Sequence, residues 1–285
     1  TLINSPDLNP FIQYICRRGL SVGADGLIFA CQLGSDGGVD IVARFFEPDG
    51  SEAELCGNGT ACFTYWALKA GLVAGPEVRI LTAAGVTRAI LNNDDDERVR
   101  VCVPDPTQLQ FDLELTVKDA LWIVDFLDTG VPHAVTFVDN IEHLDVAHWG
   151  PGIRHHTRFQ PRGTNANFVK VLREGHLAIR TFEFGVEAET LACGTGSTAA
   201  AIIAALRFDW DTAYGNGEKP VYVDVRGGET LRVWFECTDN TTIKNVCLET
   251  RACAIYDGTF RPEFMAALRS HLLPENKNEK KPLPA

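Results

Sequence analysis

Two cysteines, Cys56 and Cys193, each stand directly before a glycine-containing turn and an apolar segment rich in small residues. The turns read Cys-Gly-Asn-Gly and Cys-Gly-Thr-Gly, and each following segment is predicted to be a helix. The first amide groups of a helix lack partners within the helix, so they point outward and attract anions. The same helix end favours the thiolate form of a nearby cysteine. Each turn therefore combines a reactive sulfur with donors for a carboxylate.

Two such turns suit the inversion of a carbon that carries a carboxylate. A thiolate on one face of the carbon would remove its proton, and a thiol on the other face would supply one. The amide groups of Gly57, Asn58, Gly194 and Thr195 would stabilise the negative charge that develops on the carboxylate. We therefore predict the two cysteines to be the catalytic pair. The sequence has no phosphate-binding glycine motif and no metal-ligand spacing, so we expect no cofactor and no metal.

The two turns belong to a longer internal similarity. Residues 49–72 and 184–206 each contain Glu-Ala-Glu, then the cysteine turn, then the apolar helix. Short alternating or β-branched stretches fill most of the remaining chain. Helical patterns are confined to residues 8–17, 59–70, 196–206 and 262–272. The pattern predicts an α+β fold made of two similar halves, each with a central helix.

We place the linker between the halves in the turn-rich residues 104–114. This gives an N-terminal half at 1–112 that carries Cys56, and a C-terminal half at 113–250 that carries Cys193. A last strand at about 251–262 is allowed to return to the first half. A terminal helix and a disordered tail are predicted for 263–285.

The composition indicates which binding partners and which cellular compartment to expect. The 285 residues carry a formal net charge of −12 and no basic cluster, which argues against nucleic acid and anionic membrane surfaces. No apolar run reaches the ~18 residues of a spanning helix. The 9 cysteines include no Cys-X-X-Cys pair, which favours a reducing cytoplasm. Apart from the two turn cysteines, we expect all of them to pack in the core.

At these residues the sequence resembles the diaminopimelate epimerase family. Five blocks carry the resemblance, in the family's order: VGADGLI (22–28), DGSEAELCGNG (49–59), GVPHAV (130–135), RGTNANFV (162–169) and ETLACGTG (189–196). The resemblance implies two pseudo-symmetric halves, each a curved β-sheet wrapped around a central α-helix, with the active site in the cleft between them. It also implies an isomerase of lysine biosynthesis whose substrate is a small-molecule amino acid. A homodimer is left open.

The resemblance also assigns substrate-binding residues. His133 matches a histidine beside the reacting carbon, Asn165 matches an asparagine that contacts the substrate, and Glu183 matches an acidic residue that holds the substrate amino group. The family's early Gly-Asn-Asp-Phe element has no counterpart here, so we expect an N-terminal strand to precede the residues given.

Three residues differ from the family's pattern at positions where the family recognises the far end of its substrate. Glu47 and Val131 stand where the family usually or often has asparagine, and Phe184 stands where it has arginine. An arginine can bind a carboxylate through two hydrogen bonds, which phenylalanine cannot. Two substrate hypotheses therefore stay open: diaminopimelate (L,L to meso), and histidine or a basic amino acid. A third hypothesis is a non-catalytic, thiol-based binding or redox-sensing protein.

Overall fold

The structure is a computed structural model that describes residues 5, 7–31, 38–53, 56–92, 97–238 and 241–272. The chain folds into two compact units, of which unit 1 comprises Thr1–Val86 and Cys253–Ala285 and unit 2 comprises Thr87–Ala252. The tail that was predicted to be disordered lies, beyond residue 272, outside the described residues. Within the described ranges, no helix has both the length and the apolar character needed to span a membrane.

Unit 1 is built around strand β2. Its described elements are α1 (Leu8–Cys16), β1 (Leu27–Cys31), β2 (Ile41–Phe46), β3 (Glu52–Ala53), α2 (Gly57–Lys69), β4 (Glu77–Thr82) and, from the end of the chain, α6 (Pro262–Leu272). Strand β2 pairs antiparallel with β1 and β3 and parallel with β4. The apolar residues of α1 recur at helical spacing, so α1 buries one face against Phe46 of β2 and Leu268 of α6.

Unit 2 is a larger sheet with helices on both faces. Its described elements are β5 (Gly85–Leu91, which begins in unit 1), β6 (Arg98–Cys102), β7 (Thr107–Val117), β8 (Ala120–Asp128), β9 (Pro132–Phe137), α3 (Val146–Arg154), β10 (Asn165–Arg173), β11 (His176–Glu183), β12 (Ala188–Thr190), α4 (Gly194–Arg207), α5 (Thr212–Gly215), β13 (Val221–Asp224), β14 (Thr230–Thr238) and β15 (Thr242–Arg251). The strand order is β5-β6-β15-β14-β13-β11-β10-β9-β8-β7, and β12 pairs with β11.

Helix α4 forms the centre of unit 2. All of its residues from Gly196 to Ala205 are buried, and strands pack around it through side chains such as Val135, Val169 and Ile179. The alanines of α4 let these strands approach closely from several sides. Alternate residues of the same strands point to the opposite face and pack against α3.

The same order of elements surrounds both cysteines. In unit 1 the β2–β3 hairpin leads through Cys56 into α2, and β4 returns parallel to β2. In unit 2 the β11–β12 hairpin leads through Cys193 into α4, and β13 returns parallel to β11. Strands β1 and β10 pair antiparallel with β2 and β11 in the same way. This repetition confirms the predicted fold of two pseudo-symmetric halves.

The structure differs from the prediction at the boundaries. The expected linker at residues 104–114 is mostly strand β7, so the prediction of a linker there was wrong. Residues 87–112 group with unit 2, and residues 253–285 group with unit 1. Residues 252–261, which were predicted as a returning strand, form no regular strand.

The cysteines expected in the core fall into three groups. Cys16 and Cys247 are buried, whereas Cys62 and Cys253 are exposed. The remaining three, Cys31, Cys102 and Cys237, are partly buried. The expectation of core packing was therefore wrong for the two exposed residues.

Candidate active site

Cys56 and Cys193 occupy the same structural position in their units. Each is the N-cap of the following helix, with φ −129° and ψ 113° at Cys56 and φ −127° and ψ 107° at Cys193. This extended N-cap conformation leaves the first amide groups of α2 and α4 without partners inside the helix. The helices begin at Gly57 and Gly194, two residues earlier than predicted, because the cysteine itself is the cap.

The surroundings of the two sulfurs differ. Cys56 is exposed, and its Sγ accepts a hydrogen bond from the amide of Gly59 at 3.3 Å. Cys193 is only 7% exposed, and its Sγ lies 3.6 Å from the hydroxyl of Thr195. The two thiols therefore share a backbone geometry but have different access to solvent.

The second glycine of each turn leaves little or no room for a side chain. A Cβ at Gly196 would stand 2.4 Å from Asn167 Oδ1, 3.2 Å from Cys193 Sγ and 3.3 Å from His133 Cε1. A Cβ at Gly59 would stand 3.0 Å from the ring of Phe45. The contacts of Gly196 also show that the sulfur of Cys193 and the ring of His133 lie close to the same residue of α4.

His133 is held by Asn167, a residue that the sequence analysis did not single out. The amide nitrogen of Asn167 donates to Ala134 O at 2.9 Å, and its Oδ1 accepts from the hydroxyl of Thr181 at 2.9 Å. The carbonyl oxygen of Ala134 can only accept a hydrogen bond. The bond to it therefore identifies the nitrogen of the Asn167 amide and fixes the orientation of that amide. The same nitrogen lies 3.2 Å from His133 Nδ1, which must therefore accept. The proton of the neutral imidazole is consequently on Nε2.

The imidazole of His133 is completely buried, and desolvation lowers its pKa to about 3. The ring is therefore neutral in any ordinary buffer. Its Nε2–H group is buried and has no hydrogen-bond partner among the residues that the structure describes. A buried donor without a partner is costly, so this atom is suited to an acceptor that arrives with a ligand.

Asn165 and Glu183 stabilise the hairpin that precedes Cys193. The side chain of Asn165 donates to Pro132 O at 3.0 Å and accepts from the amide of Phe184 at 2.8 Å, which ties β9 to the β11–β12 turn. A carboxylate oxygen of Glu183 accepts from the hydroxyl of Thr190 at 2.7 Å across the same hairpin. Both residues thus have a positioning role, and their contact with a substrate stays a prediction.

The three residues that differ from the family's pattern lie outside the regular strands, in turns or loops. Glu47 is exposed in the β2–β3 turn, where desolvation and the nearby Asp49 raise its pKa. Val131 is partly buried and directly precedes β9. Phe184 is 37% exposed, and the guanidinium of Arg154 lies 4.1 Å from the centre of its ring.

The chain matches the family model described as diaminopimelate epimerase over residues 3–107 and 126–245. It is 38% identical to the diaminopimelate epimerase of Aquifex aeolicus (strain VF5), over 90% of this chain and 86% of that protein. It is also 35% identical to the diaminopimelate epimerase of Methanocella arvoryzae, over 90% of this chain and 88% of that protein. The chain belongs to the diaminopimelate epimerase family. It is accordingly an isomerase of the epimerase class, from a family that acts on a small-molecule amino-acid substrate.

Solved structures support the fold of this epimerase. A probable proline racemase from Agrobacterium radiobacter K84 aligns with a TM-score of 0.66 at 16% identity, over 94% of this chain and 85% of the other. A phenazine biosynthesis protein of the PhzF family from Bacillus anthracis aligns with a TM-score of 0.64 at 18% identity, over 84% and 85%. At these identities the likeness concerns the fold alone.

Within unit 2 of the epimerase, the structure brings several predicted residues together. His133 and Cys193 adjoin Gly196, and Asn165 bonds to the backbone of Phe184. Asn167 was missed, although it stands two residues after Asn165 on one strand and therefore faces the same side. That alternation was the available signal. In unit 1, Cys56 is the N-cap of α2, and Gly57 and Asn58 are its first two residues.

Acid is expected to destabilise the epimerase through His133. In the unfolded chain this group titrates near pH 6.5, whereas its folded pKa is about 3. Between these values only the unfolded state binds the proton, so stability falls as pH falls. The expected loss is about 1.4 kcal/mol per pH unit below about 6.5. The measurement is the free energy of unfolding by urea at pH 7 and pH 5.5, compared with His133→Gln.

In His133→Gln, the loss of unfolding free energy between pH 7 and pH 5.5 should be smaller by the contribution of His133, because glutamine does not titrate. The matched control is His143→Gln, which replaces an exposed histidine of the same unit and should behave as the unmodified protein does. Equal pH dependence in His133→Gln and the unmodified protein would rule out the neutral buried imidazole.

Proposed function

We propose that this enzyme interconverts L,L- and meso-diaminopimelate through the thiols of Cys56 and Cys193. The observation that carries the proposal is the repeated N-cap: two cysteines with the same backbone conformation, each at the start of a helix. Relatives named diaminopimelate epimerase, such as that of Aquifex aeolicus at 38% identity, support the substrate.

The proposed reaction moves one proton onto and one proton off the α-carbon. The thiolate of one cysteine takes the α-proton, and the electron pair of the broken C–H bond passes into the α-carboxylate. The thiol of the other cysteine then gives a proton to the opposite face. The two thiols have exchanged their protonation states, and the configuration of the carbon is inverted.

The amide groups at the helix starts are proposed to hold the α-carboxylate during this step. Gly57 and Asn58 begin α2, and Gly194 and Thr195 begin α4. These donors are fixed by the helices before the reaction, so they can stabilise the added negative charge without rearrangement. The proposal therefore needs a substrate that carries a carboxylate on the reacting carbon.

His133 is assigned a role other than proton transfer. A group with a pKa of about 3 is a weak base at neutral pH, and its Nε2 already carries the proton. Its Nε2–H group is instead proposed to donate a hydrogen bond to the substrate. This leaves both proton transfers to the cysteines.

The far end of the substrate lacks the arginine that the resemblance implies, since Phe184 stands in its place. A guanidinium is still nearby, because Arg154 lies 4.1 Å from the Phe184 ring and pairs with Glu187 at 3.0 Å. We propose Arg154 as the cation for the distal carboxylate. The apolar ring of Phe184 favours histidine or a basic amino acid as the second candidate substrate.

The deciding experiment follows loss of the α-proton signal by NMR in deuterium oxide. The substrates are L,L- and meso-diaminopimelate, L-histidine, L-lysine and L-ornithine, each without added cofactor. We expect exchange and interconversion with the two diaminopimelate isomers only. Exchange confined to histidine or the basic amino acids would replace the substrate but keep the reaction. Exchange with none of them would contradict the two-thiol proposal and favour a thiol-based binding protein.

A free amino acid is the partner that the proposal requires. We infer a cytoplasmic location from the cysteine usage, since 9 cysteines without a Cys-X-X-Cys pair fit a reducing compartment.

A further inference from the structure

A second pair of cysteines lies in unit 2, away from the turns described above. Cys102 of β6 and Cys247 of β15 are directly opposite each other in the antiparallel pairing of these strands. Their sulfur atoms are 2.7 Å apart, although the residues are separated by 145 positions in the sequence. Neither residue belongs to the five blocks that resemble the family.

The backbone at this pair has the geometry of a cross-strand disulfide. The next pair along the strands is hydrogen-bonded, with the amide of Val103 donating to Val246 O at 3.0 Å. Because hydrogen-bonded and non-hydrogen-bonded pairs alternate, Cys102 and Cys247 form a non-hydrogen-bonded pair. Such pairs bring the Cα atoms to about 4.5 Å, within the range that disulfides span. The sulfurs need to approach by less than about 1 Å to form a bond of about 2.05 Å.

The charges around the pair distinguish the two sulfurs. The guanidinium of Arg88 lies 3.6 Å from Cys102 Sγ. The hydrogen bond between the two sulfurs, together with the Arg88 guanidinium, lowers the pKa of Cys102 below its usual value, against the effect of its burial. The same hydrogen bond and burial raise the pKa of Cys247. Cys102 is partly exposed whereas Cys247 is buried, so an oxidant reaches Cys102 first.

We propose that Cys102 and Cys247 form a reversible disulfide on exposure to hydroperoxides, with Cys102 as the attacking sulfur and Cys247 as the resolving one. The Cys102 thiolate attacks a peroxide oxygen, the O–O bond breaks, and a sulfenic acid and hydroxide form. The Cys247 thiol then attacks the sulfenic sulfur, the S–O bond breaks, and water leaves as the S–S bond forms. Each sulfur loses one electron, and hydrogen peroxide is reduced to water and hydroxide. The hydroxide takes up the proton that Cys102 released on becoming a thiolate, which gives the second water.

The disulfide would join the two strands that follow the repeated elements in the chain. Strand β6 follows the elements around Cys56, and β15 follows those around Cys193. The bond would constrain the unfolded chain over a long loop, so we expect it to raise the melting temperature. A small dithiol would reverse both the bond and the rise in melting temperature.

The test uses the full chain with Cys56→Ser and Cys193→Ser, so that its outcome does not depend on the proposed catalytic thiols. Of the 9 cysteines, seven then remain. After treatment with a few equivalents of hydrogen peroxide and denaturation, we expect titration to find two fewer thiols. Non-reducing peptide mass spectrometry should find Cys102 and Cys247 in one linked peptide with the loss of two hydrogens.

Three further variants of this background complete the test. Cys247→Ser should abolish the linked peptide and leave a sulfenic acid on Cys102 that dimedone labels. Cys102→Ser should abolish both the link and the label. Cys237→Ser, which removes a partly buried cysteine of the neighbouring strand β14, should retain the link. A peroxide-treated protein that keeps all its thiols, or that links either sulfur to another chain or another cysteine, would overturn the proposal.

Discussion

Serine at Cys56 or Cys193 is expected to lower kcat for the interconversion of L,L- and meso-diaminopimelate by about 10³-fold or more. A serine hydroxyl is far less acidic than a thiol, so it cannot exist as the base at neutral pH, and it is a poor proton donor to a carbanion. The change removes a single sulfur at an N-cap position that serine favours, so the helix start should be retained. The measurement is steady-state kinetics in both directions, with circular dichroism as the check on folding.

The two variants should also differ in a stereochemical readout. Each keeps one thiolate, which can still remove and return a proton on its own face of the carbon. In deuterium oxide each single variant should therefore incorporate deuterium into one stereoisomer without inversion, and the two variants should choose opposite isomers. The matched control is Cys62→Ser, an exposed cysteine on the same helix as Cys56, which should leave kcat unchanged. Inversion at a normal rate in either single variant would refute the two-thiol mechanism.

Leucine at Asn167 is expected to reduce the free energy of unfolding by about 2–5 kcal/mol. The asparagine side chain is 1% exposed and bonds to His133, Ala134 and Thr181, and leucine of similar size can bond to none of them. Each buried group left without a partner costs about 1–3 kcal/mol. The variant should lose activity as well, because the tautomer and orientation of His133 depend on this amide.

A double-mutant cycle with Thr181→Val measures this network. The valine removes one donor to Asn167 Oδ1 without changing the shape of the side chain, so we expect a cost of about 1 kcal/mol. In the double variant this cost should largely disappear, since the bond is already absent after Asn167→Leu. Urea unfolding of the four proteins gives the coupling. Strict additivity would show that the hydrogen bond contributes nothing to stability.

Much of the architecture was predictable from local pattern. Helices α1, α2, α4 and α6 begin and end within two residues of the helical patterns read from the sequence, at residues 8–17, 59–70, 196–206 and 262–272. The cysteine turns were also predictable. Cysteine followed by glycines and then an apolar segment is a local signal. Because this signal occurs twice in the sequence, it predicted a fold of two similar halves.

The elements that were missed have local sequences that contradict their structure. Helix α3 contains Gly150, Pro151 and Gly152, which predict a turn. A Cβ at Gly150 would stand 2.4 Å from Phe182, and one at Gly152 would stand 2.2 Å from Val117. The glycines are thus required by close packing of α3 on the sheet, and this contact overrides their poor helix propensity.

Strand β7 was mistaken for a linker for a related reason. Its pairing with β8 shifts register twice, and Gln108 and Asp112 have positive φ values of 59° and 57°. Bulges of this kind interrupt the alternation by which a strand is recognised. The backbone amide of Asp112 is instead satisfied by Asp125, a partner 13 residues away.

The sequence by itself determined the family, the two cysteine turns and the repeat, since these depend on residue types and short spacings. Tertiary structure decided which side chains meet. It set the neutral state of His133, because desolvation and the fixed Asn167 amide act only in the folded chain. It likewise brought Cys102 to Cys247 across 145 positions, a pairing set by strand register that no local pattern encodes.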